Sequence, residues 1–503
     1  MLAGSRRLLD GQIPHRDYIS LRPVGTHILH APIVLFAGDR LMWISRGVAW
    51  IQLAIAAWLW IIISEIEIGV SLGTVARFIG ATIGLAASAH TFPIMPWNTI
   101  DGYFLLTIGV FLLIRDNKLS PIGALLMGLS TLTRQNFLIF APLILLVFAR
   151  RRRLFLLSLL VIPPAAYGAY LLVHGGIMDA LVQMTGHALK WQHVLPFFFR
   201  KNALIISGTS AAAAYFATKL CHNKNKATTR RMGGLLIWCL LLGVAFFTPV
   251  TFTGWLHSWM AFGIVPGVLF ASKHLQFGKP AYYKFGFGVF LTSWGVAFSE
   301  GYPTPAIASS ALVSFIFLSL FFVSRGALFT KREKIVAVCI MMIVSLSMFH
   351  YGRVRYINFE APSQFLTFHL GDVLEGGEGI YTNRYTWECM AELKRAIASA
   401  DAAGEKYCIV PNAAQFWVKS RYSNPLSSDW PYDAELQRDQ LRQRVLREID
   451  EISTPTRFLI MRFEPLYLAA GPRYWRKYET VLGDRIRQTR KPIRTGNYWE
   501  QCH

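Results

Sequence analysis

Residues 121–153 read PIGALLMGLSTLTRQNFLIFAPLILLVFARRRR. Two apolar halves flank Leu132-Thr133-Arg134-Gln135-Asn136, and the run stops at four arginines, Arg150–Arg153. A single helix crosses a hydrocarbon core with about 20 apolar residues. The stretch 121–149 is too long for one straight crossing and fits either one broken helix or a tight helical hairpin. Loop charge decides, because short cytoplasmic loops collect Lys and Arg. With Arg150–Arg153 inside, the loops on that side are 115–120, 150–153, 219–231, 273–284 and 325–334, which hold 18 Lys and Arg. Loops 115–120 and 150–153 can both be inside only if 121–149 enters and returns, so a hairpin is expected. The short loops of the opposite face, 92–100, 175–202, 252–255 and 300–304, hold only Lys190, Arg200 and Lys201.

Further apolar runs lie at about 41–63, 71–91, 101–114, 154–174, 203–218, 233–251, 256–272, 285–299, 305–323 and 335–350. Over all 503 residues 53% are hydrophobic, 14% aromatic and only 16% charged, against roughly 25% charged in soluble domains. Mean hydropathy is +0.37. This composition excludes a disordered chain, a coiled coil and an ordinary soluble enzyme. The net charge of +22 would suit nucleic acid if it formed a surface stripe. It does not: residues 1–350 hold 29 basic and 10 acidic side chains, and residues 351–503 hold 22 and 19. The excess sits between apolar runs, and no nucleic-acid partner is expected. The expected fold is an α-helical polytopic membrane protein of about 11–12 membrane segments, including the hairpin, in the inner cell membrane. Its first extracytoplasmic loop is 1–40, its membrane domain runs to residue 350, and a small extracytoplasmic α/β domain fills 351–503. Residues 1–40 lie outside by parity despite Arg6, Arg7, Arg16, Arg22 and Arg40.

In the tail, Met390–Ala400 and Ala434–Glu451 read as helices by periodicity, Lys406–Pro411 and Thr456–Arg462 as buried strands, and Pro472–Val481 as another helix. No Gly-rich phosphate loop, nucleophile elbow or metal-spaced Cys/His set is present there. Cys389, Cys408 and Cys502 permit at most one disulfide, and free buried thiols are the alternative.

The first loop reads Arg6-Arg7-Leu8-Leu9-Asp10-Gly11-Gln12-Ile13-Pro14-His15-Arg16-Asp17-Tyr18, then Arg22-Pro23-Val24-Gly25. Gly11, Pro14, Arg16, Asp17, Pro23 and Gly25 resemble the first extracytoplasmic loop of the polytopic GT-C-type glycosyltransferases, such as the protein mannosyltransferases and the lipid A aminoarabinose transferases. Pro96-Trp97-Asn98-Thr99-Ile100-Asp101-Gly102-Tyr103 and Gly128-Leu129-Ser130-Thr131-Leu132-Thr133-Arg134-Gln135 are similar to that family too. The resemblance implies transfer of a sugar from a polyprenyl-phosphate donor to a lipid, glycan or protein acceptor, with inversion at the anomeric carbon. It also implies an acidic residue just after a first membrane helix, upstream of the stretch with which this sequence opens. His15 and Arg22-Pro23-Val24 depart from the family's aromatic and His-Pro-Pro-like stretches. The alternatives are a shortened, inactive relative, or a transporter or flippase of lipid-linked glycans.

Such chemistry needs a carboxylate to take the acceptor proton and fixed cations, or a divalent metal, for the leaving phosphate. The acidic candidates are Asp17, Asp101 and Glu300. Their plain alternatives are a turn residue pairing with Arg16, a favourable acid in the first turn of a helix and a solvated loop acid. Arg16, Arg22, Lys190 and Arg200 are candidate phosphate ligands, against snorkelling at the interface. Tyr18 and Trp97 join them as substrate contacts. His187 and His193 could bind a metal, although an interfacial helix explains their loop better. Arg46 and Arg77 lie near span ends, and Arg134 at the hairpin turn suits a conformational role.

Overall fold

The computed structural model describes residues 1–89, 94–186, 280–300, 307–323, 331–355, 363–411, 413–432, 435–452, 455–462 and 481–503. The described chain is mostly helical, with a small sheet near its C-terminal end. The apolar runs become helices α3 (Leu41–Ile68), α4 (Thr74–Ala89), α5 (Asn98–Arg115), α8 (Arg153–Val173), α10 (Pro280–Glu300), α11 (Ser309–Val323) and α12 (Lys331–Arg355). Before them come α1 (Leu2–Leu9) and α2 (Gly25–Phe36), and α9 (Ile177–Gly186) follows α8. The expected spans at 203–218, 233–251 and 256–272 lie outside the described residues.

Among the described residues, three helical stretches are long and apolar enough to cross a membrane: Gly38–Ile68, Asn98–Arg115 and Arg153–Val173. At 1.5 Å per residue they reach about 27 Å or more, close to the thickness of a hydrocarbon core. Their apolar side chains divide between two environments. Leu53, Trp60, Ile61, Leu106 and Val110 are buried in one common core with Phe137, Phe148, Phe285 and Phe315. Leu154, Val161, Leu172 and Val173 of α8 face outward, as do Ile335 and Ile343 of α12. Exposed apolar faces on helices of this kind mark a membrane or partner surface.

The stretch 121–149 is a hairpin. Helix α6 (Ser120–Thr131) opens with Pro121 in its first turn, where the missing N–H costs nothing. Helix α7 (Phe137–Phe148) returns after the turn at 132–136. Small residues let α6 lie against its neighbours: a Cβ on Gly109 of α5 would come within 2.8 Å of the Gly123 carbonyl, and one on Gly123 within 2.6 Å of the Gly109 carbonyl. Close backbone approach of this kind is how helices associate where lipid supplies no hydrophobic drive.

The two ends of the bundle differ. At one end α3 runs past the expected limit of 63 to Ile68 and stops at Gly69 in the left-handed conformation. Its buried Glu65 accepts from Arg77 at 2.8 Å, and Glu67 pairs with Arg150 at 3.0 Å and Lys284 at 3.7 Å. Arg77 therefore has a carboxylate partner, and the ends of 71–91, 150–153 and 273–284 meet there. At the other end the N-terminal stretch packs on the tail. Arg7 pairs with Asp429 at 2.8 Å, and the Ile19 N–H donates to the Ser427 carbonyl. Arg444 donates to the carbonyls of His15 and Arg16, and the Met42 N–H to that of Gly376.

The tail is α/β. Strands β1 (Phe368–His369) and β2 (Tyr381–Thr382) form a small antiparallel pair. The main sheet has the order β3–β4–β6–β5, with β3 (Lys406–Val410) parallel to β4 (Thr456–Met461), and β6 (Trp499–Cys502) antiparallel to β4 and to β5 (Pro492–Thr495). Helix α13 (Arg384–Ala402), capped by the Asn383 side chain on the Thr386 N–H, covers it with Leu393, Ala396 and Ile397. The short α14 (Ala414–Trp417) follows. Helix α15 (Asp439–Glu451), five residues shorter at its start than expected, buries Leu441, Val445 and Ile449 beside α16 (Val481–Thr489). The expected helix Pro472–Val481 lies outside the described residues but for Val481. Cys389, Cys408 and Cys502 are free and buried. Cys408 and Cys502 both register with Phe458 of the strand between them, about two strand spacings apart and beyond disulfide reach.

His369 lies between Asp372, 3.0 Å from Nδ1, and Glu378, 3.4 Å from Nε2. The Asp372 hydrogen bond, with Glu378 behind it, raises the imidazole pKa above 6.5. A raised folded value stabilises fully below the unfolded pKa and is lost as pH rises through the folded one. His369→Gln is therefore expected to lower the thermal midpoint near pH 5 and to match the wild type near pH 9; scanning unfolding of both proteins across that range checks it.

Candidate functional site

Among the described residues, a second group of polar side chains gathers at the tail-side end of the bundle. Helix α2 is only twelve residues long, roughly 18 Å, too short to cross a bilayer and of the length of an interfacial or re-entrant segment. One edge carries exposed Ile28, Leu29, Leu35 and Phe36, and the other buries Thr26, His27 and His30. The apolar edge suits lipid and the polar edge turns to the protein. Gly25 allows the approach: a Cβ there would lie 2.7 Å from the carbonyl carbon and oxygen of Leu132 at the hairpin tip. The Gly25 N–H donates to that same carbonyl at 2.7 Å.

Beneath α2 lies Asp101, in the first turn of α5 and fully buried. A carboxylate at a helix N-terminus gains from the exposed N–H groups and the helix dipole. Here it also accepts from side chains. His30 Nε2 is 3.2 Å from both carboxylate oxygens, and Gln52 Nε2 is 2.9 Å from Oδ1. Gln52 is on α3, about 16 Å along that helix from Leu41. No Lys or Arg forms an ion pair with Asp101 among the described residues. Two residues before Asp101, Thr99 Oγ1 accepts from Arg134 Nη1 at 2.6 Å, so the hairpin tip is pinned to the same turn of α5. Gln135 Nε2 donates to the carbonyls of Leu21 and Met184. Trp97 precedes α5, is partly buried against the core, and accepts from the Asp101 N–H through its carbonyl.

Asp17 has a different setting. Its Oδ2 accepts from the Ile13 N–H at 2.7 Å, and Arg16 Nε donates to Oδ1 at 2.8 Å. The Arg16 guanidinium, aided by the Ile13 N–H, holds this carboxyl below its usual range, which makes it a weak base. Arg16 also donates to the His174 carbonyl at 3.2 Å. No hydrogen bond or ion pair joins Asp17 to Asp101. His15, at φ 68°, is buried with Nδ1 3.0 Å from Gln183 Oε1 and Nε2 2.8 Å from the Tyr167 hydroxyl. Burial lowers its pKa against the opposing Gln183 hydrogen bond. The ring fixes the 13–18 turn to α8 and α9.

Tyr18 is buried, not surface-facing: its hydroxyl is 3.2 Å from His27 Nδ1, and the Arg7 guanidinium lies 5.5 Å from its ring centroid. Arg22 is half-buried and makes no side-chain hydrogen bond or ion pair among the described residues. It stands close enough to His27 to act on it electrostatically, as does His30. Glu300 is the last residue of α10, and its side chain is outside the described part. Lys190, Arg200, His187 and His193 also lie outside the described residues. Among the described residues no group of three His, Cys, Asp or Glu side chains is placed to hold a metal ion.

Reading the sequence singled out Asp101, Arg134 and Arg22 but not His30 or Gln52. The signal for both was a polar side chain inside an apolar run, which membrane segments seldom keep without a role. Comparison with protein-family models, with curated proteins and with solved structures finds no match.

Proposed function

We propose that this chain is an integral membrane glycosyltransferase that moves a sugar from a polyprenyl-phosphate donor to a lipid, glycan or protein acceptor at the outer face of the cytoplasmic membrane. The observation that carries this reading is the buried Asp101 carboxylate, gripped by His30 and Gln52 beneath an interfacial helix. Further support comes from the two unlike ends of the bundle. The arginine-rich loop ends gather around Glu65 and Glu67, as a cytoplasmic end would. The N-terminal stretch and the tail pack on each other at the opposite end, so they share one side. The membrane-crossing count of about 11–12 belongs to this proposal.

The mechanism follows from charge. The acceptor oxygen attacks the anomeric carbon from the face opposite the phosphate, the sugar inverts, and the lipid phosphate leaves with its electron pair. A base removes the acceptor proton at the Asp101 cluster. The developing phosphate charge needs a fixed cation, and Arg22, which has no carboxylate of its own among the described residues, suits that role. Asp17, already held by Arg16, shapes the 13–18 turn.

One observation favours a second reading. A buried Asp–His couple beside a membrane helix also fits a proton relay in a transporter of lipid-linked glycans. Proteoliposomes given radiolabelled polyprenyl-phosphate mannose, glucose and arabinose in turn, with membrane extract as acceptor source, separate the two. A glycosyltransferase yields covalently labelled acceptor. Label moved across the bilayer still attached to its lipid, with no new product, contradicts the proposal and supports the transporter.

A further inference from the structure

We infer that the proton-accepting atom of this site is Nδ1 of His30, and that Asp101 acts through it as the orienting carboxylate. The inference rests on the glycosyltransferase reading and deepens it. An ionised carboxylate only accepts hydrogen bonds. Both oxygens of Asp101 are 3.2 Å from His30 Nε2, and Oδ1 also takes the Gln52 amide N–H at 2.9 Å. The hydrogen-bond network thus assigns the ring proton to Nε2 and leaves a lone pair on Nδ1. Nδ1 is buried and has no hydrogen-bond partner in the structure. A carboxylate that fixes one imidazole nitrogen and leaves the other free is the arrangement of a general base in which the acid orients the histidine and stabilises the imidazolium.

The surroundings agree. Three more polar atoms on the residues around this couple find no partner: Thr26 Oγ1, one turn before His30 on the same helix, Gln52 Oε1, and Asn98 Nδ2, one turn before Asp101. Each of these residues is at least nine-tenths buried. Buried polar atoms are nearly always satisfied, so orphans on residues adjoining one Asp–His couple point to a bound group. One hydroxyl and two side-chain amides can meet the donors and acceptors of an alcohol or sugar, which are both donor and acceptor themselves.

The step balances as follows. The acceptor hydroxyl gives its proton to His30 Nδ1 while its oxygen forms the bond to the anomeric carbon. The anomeric C–O bond to phosphate breaks, and its electron pair stays on the phosphate oxygen. The imidazolium, held by Asp101, later returns its proton to water.

Other charged or titratable groups on the elements packed against α2 are Arg6 and Arg7 on α1, Arg46, Glu65 and Glu67 on α3, and Tyr103 and Arg115 on α5; His27 is on its own helix, Arg22 and the Met1 amino group lie beside it, Asp429 pairs with Arg7, Arg134 is at the hairpin tip, and α6 has no titratable side chain. None of them forms a hydrogen bond to Nδ1. The test uses the full chain in proteoliposomes with the three labelled donors. His30→Gln puts an amide near Nε2, able to donate to Asp101, but has no basic Nδ1. It is expected to lower transfer by about 10²–10⁴-fold. Imidazole added to His30→Ala is expected to restore part of the rate. Wild-type transfer with His30→Gln within about threefold of it overturns the inference and leaves the glycosyltransferase reading standing. A wild type that transfers no label overturns that reading and the inference with it. If His30→Gln does not fold, nitrogen NMR of histidine-labelled wild type decides: a proton on Nε2 and none on Nδ1 at neutral pH is required, and a proton on Nδ1 overturns it.

Discussion

Asp101→Leu is expected to destabilise the tail-side end of the bundle by about 3–5 kcal/mol, the cost of removing one partner from a buried, hydrogen-bonded charged group. The substitution leaves the buried His30 Nε2 and Gln52 Nε2 without their carboxylate acceptor, and each lost bond to a buried donor costs about 1–3 kcal/mol. Asp101→Asn keeps the volume and one acceptor oxygen, and is expected to lose less than half as much. The triple replacement Asp101→Leu, His30→Leu and Gln52→Leu removes all three partners together and is expected to be more stable than Asp101→Leu alone, because an apolar cluster leaves nothing unsatisfied. Thermal unfolding of the four proteins in one detergent checks the order. A single leucine variant as stable as the wild type would mean that the three side chains do not depend on one another.

The second large effect is expected at Gly102, next in sequence to that carboxylate. A Cβ there would collide with the Phe137 ring and with Thr133 Oγ1. Phe137 is fully buried at the start of α7, and Thr133 lies in the turn at the hairpin tip. Neither can retreat without lifting the tip away from α5, which would strain the Arg134–Thr99 hydrogen bond and the contact of Leu132 with Gly25. Overpacking a filled core costs roughly 1–3 kcal/mol and sometimes more. Gly102→Val adds two further methyl groups and is expected to exceed that range and to remove any activity of the site, whereas Gly47→Val, with nothing within 4 Å of its Cβ position, is expected to be tolerated. Unfolding midpoints and yield of folded protein distinguish the two variants.

Much of the helical framework was legible because hydropathy and helix length are tied by bilayer geometry. The hairpin at 121–149 was legible through charge alone, since Arg115 and Arg150 cannot share a side otherwise. The end of α3 was not: Glu65 and Glu67 break the apolar run at 63, yet the helix continues because Arg77, Arg150 and Lys284 neutralise them. Those partners come from three separate segments, a fact that no local window contains. In the tail, β5 and β6 were missed, although Gly496-Asn497 between Thr495 and Tyr498 is a hairpin signal. The strand Pro492–Thr495 is fully exposed, so it lacks the apolar alternation by which strands are recognised.

The candidate site divides in the same way. Asp101 stood out because acids are scarce beside the apolar runs. Its partners did not, because His30 is 71 positions away and Gln52 is 49. Asp17 stood out equally, but its closest contacts are its neighbours Arg16 and Ile13. Spacing cannot tell a carboxylate that closes a local turn from one that collects partners from distant helices.

The central claim is sugar transfer at the Asp101 cluster, and its most direct measurement is loss of label from a polyprenyl-phosphate sugar into a covalent product, by wild type and Asp101→Asn side by side in proteoliposomes. The expected result is steady transfer by the wild type and at least a hundredfold less by a variant that remains folded, on the order of a positioned acid–base group's worth. Equal rates in the two proteins, or no transfer by the wild type with any of the three donors, would contradict it.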